Sequence, residues 1–275
     1  MVRLIYNKLG GFIGGIVMFK LKSLGFGSAF NSQEYGNNSW YFIEDNKVFM
    51  IDCGSTVFNT FREKGLDSYK EVNVIITHMH TEHVGSLGTL IEWMYYVKGV
   101  KVNILAHNTL KRDLLDYLLI SGIEESMFTL EVTPYDKQYI VKDNIEVLFI
   151  EVEHAPQIKA YSIFLTRDDT EMIIYSGDTT EKFQGDNDSL FSHYARFMEG
   201  YPELRLTGLY LDASLNESPV HANYHKNIMG TCSMLEEDLN KFNTEVVIMH
   251  LDDTVENYKE KLIRQDEYPI TIGEV

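Results

Sequence analysis

Cysteine is scarce in this chain. Its 275 residues include only Cys53 and Cys232, and neither belongs to a CxxC pair. That pattern excludes a disulfide framework and fits a reducing, cytoplasmic setting. Basic charge is also short. The 24 Lys and Arg stand against 41 Asp and Glu, a net charge of −17, and no segment is rich in Lys or Arg. Such a chain is a poor match for a long polyanion such as nucleic acid, unless metals supply the positive charge. No apolar run is long enough to span a bilayer, so no membrane partner is expected. Repeats and low-complexity linkers are absent as well. The 44% hydrophobic content suffices for one large core.

The N-terminus is unusual. Leu9 to Phe19 is apolar and Gly-rich, preceded by Arg3 and Lys8, yet no small-residue cleavage site follows. The simple reading takes Met18 as the natural start. Residues 1–17 are then an upstream extension, and 18–275 form a single hydrolase-sized domain.

The chemistry concentrates in Thr77-His78-Met79-His80-Thr81-Glu82-His83, directly after the apolar run Val72-Asn73-Val74-Ile75-Ile76. Three histidines and a carboxylate fall within six residues. Neutral imidazole is the commonest metal-ligating side chain, and carboxylates bind the same metals. In extended chain His78 and His80 point to one side. A satisfied core histidine is the ordinary explanation of one such residue, but it does not explain four together. Three more ligand types, His154, Asp178 and His250, each end a short β-branched apolar run. Ligands at the ends of several strands converge when the strands share a sheet.

Strands are expected near 19–24, 40–44, 47–52, 73–77, 102–106, 128–133, 144–153, 159–166, 171–176, 207–211 and 245–249. Helices are expected from Gly85 to Tyr96, over 108–120 with Asn108 as N-cap, around 188–199 and over 226–240. The strands look antiparallel, with helices interspersed. The arrangement suggests an α+β sheet sandwich covered by helices rather than strict βαβ alternation. Gly25-Phe26-Gly27-Ser28 reads as a tight turn, because no complete GxGxxG precedes a helix. His80-Thr81-Glu82 matches the H-x-E of nucleobase deaminases, but the required P-C-x-x-C is missing.

Together these residues resemble the metallo-β-lactamase superfamily, whose signature is H-x-H-x-D-H. Met50-Ile51-Asp52-Cys53-Gly54, His154, Ser176-Gly177-Asp178-Thr179 and His250 match its supporting pieces in order. Three further segments are similar to its RNase Z-like branch: Leu24 to Ala29, Leu211-Asp212-Ala213-Ser214 and Tyr224-His225. The resemblance implies a four-layer αβ/βα sandwich carrying two divalent metal ions, zinc or alternatively manganese. His78, His80 and His154 would hold one. Glu82, His83 and His250 would hold the other, and Asp178 would bridge them. Asp52 would steady a ligating histidine. Asp212 with His225 would form the general-acid unit, with His221 as a competing acid. His107 and His193 are assigned to structure or surface.

The signature Asp is Glu82 here, so this residue is left as metal ligand, base or both. The usual Glu of the acid unit is Asp212, one methylene shorter. Between His154 and Asp178 only a short hairpin fits, from Ala155 to Gly177, in place of the tRNA-gripping arm of bacterial tRNA-processing relatives. The compact chain therefore resembles the arm-less cyclic-nucleotide phosphodiesterases, among them the phage anti-Pycsar proteins. This implies hydrolysis of 3′,5′-cyclic mononucleotides and a homodimer. Phe30, Trp40, Tyr95, Tyr96 and the polar segment 181–206 are candidates for a base-stacking pocket. The alternatives are an RNA endonuclease or other ester hydrolase of this fold, and a non-catalytic metal-binding protein. Lactamase and thioester hydrolase activities fit the Asp212 and His225 features less well.

Overall fold

The computed structural model describes residues 18–180, 190–222, 228, 230–262 and 270–273. Two sheets face each other. The first is ordered along the chain as β1 (Lys22–Gly25), β2 (Ser39–Glu44), β3 (Lys47–Ile51), β4 (Val72–Ile76), β5 (Val102–Ala106) and β6 (Phe128–Val132). The second holds β7 (Tyr139–Lys142), β8 (Ile145–Val152), β9 (Ala160–Arg167), β10 (Glu171–Tyr175), β11 (Arg205–Asp212), β12 (Glu245–Met249) and β13 (Ile270–Ile272), also in sequence order.

Helices among the described residues are α1 (Ser32–Tyr35), α2 (Val57–Glu63), α3 (Thr81–Val84), α4 (Leu87–Glu92), α5 (Lys111–Ile120), α6 (Leu190–Gly200), α7 (Gly230–Phe242) and α8 (Val255–Leu262). α2 packs on β1 and α4, and α7 packs on β11. Every residue of β4 and of β10 is buried. Both faces of these strands are covered, one by the opposite sheet and one by helices, which explains their unbroken apolar runs. Aromatic contacts fill the space between sheets; Trp40 meets Tyr210 edge-on at 5.0 Å. The expected four-layer metallo-β-lactamase sandwich is the fold observed.

Several local expectations need correction. β3 to β6 and β10 to β13 pair in parallel, so the strands are not mainly antiparallel. A β-branched run reads the same in either direction, and only the connecting helices α2, α4, α5, α6, α7 and α8 make the parallel returns. The expected helix 85–96 is instead α3, α4 and a π-helical turn over Trp93–Lys98 that ends at left-handed Gly99. Asn108 does not cap α5; it opens a 3-10 turn for which the His107 side chain accepts from the Thr109 N–H. Gly25 to Ser28 is indeed a turn. It hydrogen-bonds to Gly36 and to Leu251, and the helix next after it is the four-residue α1.

β8 runs parallel to β10, because two antiparallel steps separate them. The C-terminal ends of β3, β4 and β5 in one sheet, and of β8, β10, β11 and β12 in the other, open along one edge. Asp52 and His250 both leave their strands in the left-handed region, with φ of 64° and 60°. The chain thus turns abruptly where each side chain is presented. Among the described residues no helix is long and apolar enough to cross a membrane.

Candidate metal centre

The loop after β4 delivers His78 and His80, and the short α3 that follows delivers Glu82 and His83. The chain after β8 delivers His154, after β10 Asp178, and after β12 His250. All seven expected donors meet at the shared edge. His78, His80, His154 and Asp178 form one group, and Glu82, His83, Asp178 and His250 a second; within each, one donor atom per residue lies within 4.8 Å of the others. Asp178 belongs to both. Its Oδ2 stands 3.2 Å from His83 Nε2, 3.2 Å from His250 Nε2, and 3.8 Å from the Nε2 atoms of His78 and His154.

Hydrogen bonds set which ring nitrogen faces inward. Asp52 is fully buried at the end of β3 and accepts from the Thr77 N–H at 2.8 Å and the Thr77 hydroxyl at 2.7 Å. The Thr77 hydroxyl thereby accepts from His78 Nδ1 at 3.0 Å. Asp52 also accepts from His83 Nδ1 at 2.7 Å. The Val220 carbonyl accepts from His154 Nδ1 at 2.7 Å. Each bond leaves the Nε2 lone pair of its histidine directed into the centre, as a metal ligand requires. Asp52 thus has the steadying role expected of it, and it serves two histidines.

These residues fit a divalent metal. His80 Nδ1 lies 3.2 Å from His78 Nε2 and 3.1 Å from His154 Nε2. Nitrogens about 2.0–2.1 Å from a tetrahedral ion would stand about 3.3–3.4 Å apart. Asp178 Oδ1 and His250 Nε2 are buried without a hydrogen-bond partner among the described residues. A buried carboxylate needs a cation or a full set of donors. Burial pushes the imidazoles of His78, His80 and His250 down, toward the neutral form that binds metals. Burial opposes the charge on Asp178, but the imidazoles of His250, His83 and His78 outweigh it and hold its carboxyl well below the usual range.

Close by, Asp212 ends β11. Its Oδ2 accepts from the Thr179 N–H at 3.2 Å and from His221 Nδ1 at 2.9 Å. Burial opposes a charged His221, yet the Asp212 carboxylate, helped by Asp178, pushes its pKa up to about 9. The His221 ring stacks on that of His250, with centroids 4.6 Å apart. His225 lies outside the described residues, as do 181–189 of the polar segment and residues 1–17. Among the described residues, the competing acid, His221, hydrogen-bonds Asp212, and His250 Nδ1 stands 3.7 Å from the other carboxylate oxygen.

The stacking candidates separate. Trp40 is core, 3% exposed, with its indole N–H bonded to Asn38. Phe30 is fully exposed, Tyr96 is exposed and Tyr95 half-buried. His107 is structural as expected, stacked on Tyr161 at 4.4 Å. Cys53 is buried against Ser86, and burial pushes its thiol up to about 12. Sequence reasoning missed Thr77 and Val220 as orienting partners. Thr77 adjoins the histidine cluster and carries a signal; Val220 acts through its backbone and carries none.

Two stacked sheets with histidine and aspartate donors converging on one edge define a metal-dependent hydrolase of the metallo-β-lactamase fold. Solved structures agree on the fold. The metallo-β-lactamase-fold protein YhfI from Bacillus subtilis superposes with a TM-score of 0.67 at 16% identity, over 92% of this chain and 96% of that one. The short form of human tRNase Z gives 0.59 at 14% identity, over 84% and 92%. The family model described as anti-Pycsar protein Apyc1 matches residues 19–267, and the chain belongs to that family. The Apyc1 protein of Bacillus phage vB_BveM-Goe7 is 24% identical over 253 residues, covering 87% of this chain and 91% of the relative.

Proposed function

We propose that this chain is a dinuclear phosphodiesterase that opens 3′,5′-cyclic mononucleotides such as cCMP and cUMP, with cAMP and cGMP as further substrates. The observation that carries the reading is the position of Asp178, with one oxygen facing four inward imidazole nitrogens. His78, His80 and His154 would hold one cation, Glu82, His83 and His250 the second, and Asp178, which belongs to both donor groups, would be shared between them. Zinc suits this histidine-rich set, and manganese is the alternative. When bound, the two cations supply Lewis acidity at the phosphate and lower the pKa of the attacking water.

The protein's own groups do the rest. Asp52, Thr77 and the Val220 carbonyl keep the ligand rings in one tautomer. Glu82 sits beside His80, its Oε1 3.7 Å from Nδ1, and is placed to take a proton from water as well as to bind metal. Asp212 orients His221 and favours its charged form, and His221 gives its proton to the leaving ribose oxygen. His225, the acid implied by the sequence resemblance, is the competitor for that step.

A small substrate is supported by the hairpin β9–β10, which is all that joins His154 to Asp178, and by the net charge of −17. The name of the relatives supports a role against cyclic-nucleotide immune signalling. A homodimer is implied by the family resemblance, and mass measurement in solution checks it.

The test is hydrolysis of cCMP, cUMP, cAMP and cGMP with added zinc or manganese, with His80→Ala as control. Linear monophosphates from the parental chain alone are expected. No turnover of any of the four with two metals bound would sink this reading and turn attention to RNA.

A further inference from the structure

The loop from Ser214 to Ala222 lies over the metal centre and reaches it at two atoms. The Val220 carbonyl orients His154, and the His221 ring engages Asp212. The loop is closed on itself. Ser214 N–H donates to the Ala222 carbonyl at 2.9 Å, and Ser218 Oγ accepts from the N–H groups of Val220 and His221 at 3.3 and 3.2 Å.

One carboxylate fastens its first turn. Asp252 accepts from the Ser214 hydroxyl, from the N–H groups of Leu215 at 2.9 Å and Asn216 at 3.0 Å, and from the Asn216 side chain at 2.9 Å. The Tyr258 hydroxyl, on α8, stands 2.7 Å from the same carboxylate and also touches the Ala213 carbonyl. Hydrogen bonds to an ionised acceptor are about twice as strong as neutral ones. Asp252 follows His250 by two residues, so the segment that presents one donor also clamps the loop that orients another.

We propose that Asp252 is a positioning residue, which fixes the Ser214–Ala222 loop and, through it, the rings of His154 and His221. The proposal rests on the metal-centre reading but not on the identity of the substrate.

The test is Asp252→Asn in the full chain, loaded with cobalt(II) as the probe metal. Asparagine keeps the shape but turns an amide N–H₂ toward donors. The visible cobalt spectrum reads ligand geometry directly. The expected result is an altered spectrum and cobalt binding weakened by about 10-fold or more, the usual cost of losing an outer partner of a ligand. Turnover should fall through kcat, with KM little changed, and Asp252→Glu should restore part of the spectrum. Should Asp252→Asn not fold, the double variant Ser214→Ala, Asn216→Ala takes its place, with the same shift expected. A parental cobalt spectrum and affinity in the folded variant would overturn the proposal and leave Asp252 as a plain loop anchor. Absence of cyclic-nucleotide turnover in the parental chain would instead count against the proposed substrate, because the cobalt spectrum needs none.

Discussion

The Asp212 carboxylate and the His221 imidazole meet at 2.9 Å at the edge of the metal centre, where the His221 ring also stacks on His250. In the proposed mechanism this buried carboxylate charges and aims His221 as the proton donor. His221→Ala is expected to lower kcat for cyclic nucleotides by about 10²–10⁴-fold, the usual worth of a general acid. Bis(p-nitrophenyl) phosphate, whose leaving group needs no proton, should be affected far less. His225→Ala measured alongside decides the assignment, since the same pattern there and not at His221 would transfer the role.

Asp178 serves both donor groups, so its loss should be felt at both. Asp178→Asn is expected to weaken metal binding by more than about 100-fold, beyond what loss of an outer partner costs. Elemental analysis after gel filtration should find less than one equivalent per chain. Two retained equivalents would refute the bridging assignment.

Gly54 backs the loop that carries Glu82 and His83. A Cβ at this position would lie 1.8 Å from the Glu82 carbonyl oxygen. Gly54→Ala must therefore push that backbone away, at a cost of about 1–3 kcal/mol. The outcome to expect is a lowered thermal midpoint with selective loss of the metal assigned by the proposal to Glu82, His83 and His250. Equal loss of both metals would mean that the whole edge had moved.

Asp67 gives the fold a pH dependence away from the site. Burial alone would raise its carboxyl, but hydrogen bonds from Lys98 and Trp93, with the charges of Lys98 and Arg62, outweigh it and hold it below the ordinary value. The unfolded chain then takes up this proton first as pH falls. The stabilisation is complete above about 3.9, the unfolded value, and is lost as pH drops through the lower folded value. Asp67→Asn should cost about 1 kcal/mol at pH 7. The gap from the parental chain should close toward pH 3 in denaturation curves, and a gap that stayed constant would contradict it.

The donors are legible in the sequence because each follows a β-branched run, and strand ends of two stacked sheets share an edge. Strand direction is not legible, since the run Val72 to Ile76 would look the same in an antiparallel sheet. Trp40 is not legible either, because an aromatic beside a glycine-rich turn has the same local pattern inside or outside. β7, β13, α2 and α8 escape because each is short and held by distant partners; Tyr258 of α8, for example, is buried against Ala213. Asp252 gives no local sign of its role, since the loop groups that it binds lie 36–38 residues away. The sequence offers both His221 and His225 as partners of Asp212, and the contact of His221 with it is visible only once the chain is folded.

The donors divide between the two sheets: His78, His80, Glu82 and His83 come from one, and His154, Asp178 and His250 from the other. A cation bound to Asp178 is therefore a clasp between the two halves of the chain. Anything that binds the folded chain and not the unfolded one lowers the population of open forms. Proteases cut those open forms. Removal of metal by a chelator is thus expected to speed proteolysis of the chain as well as to stop its activity.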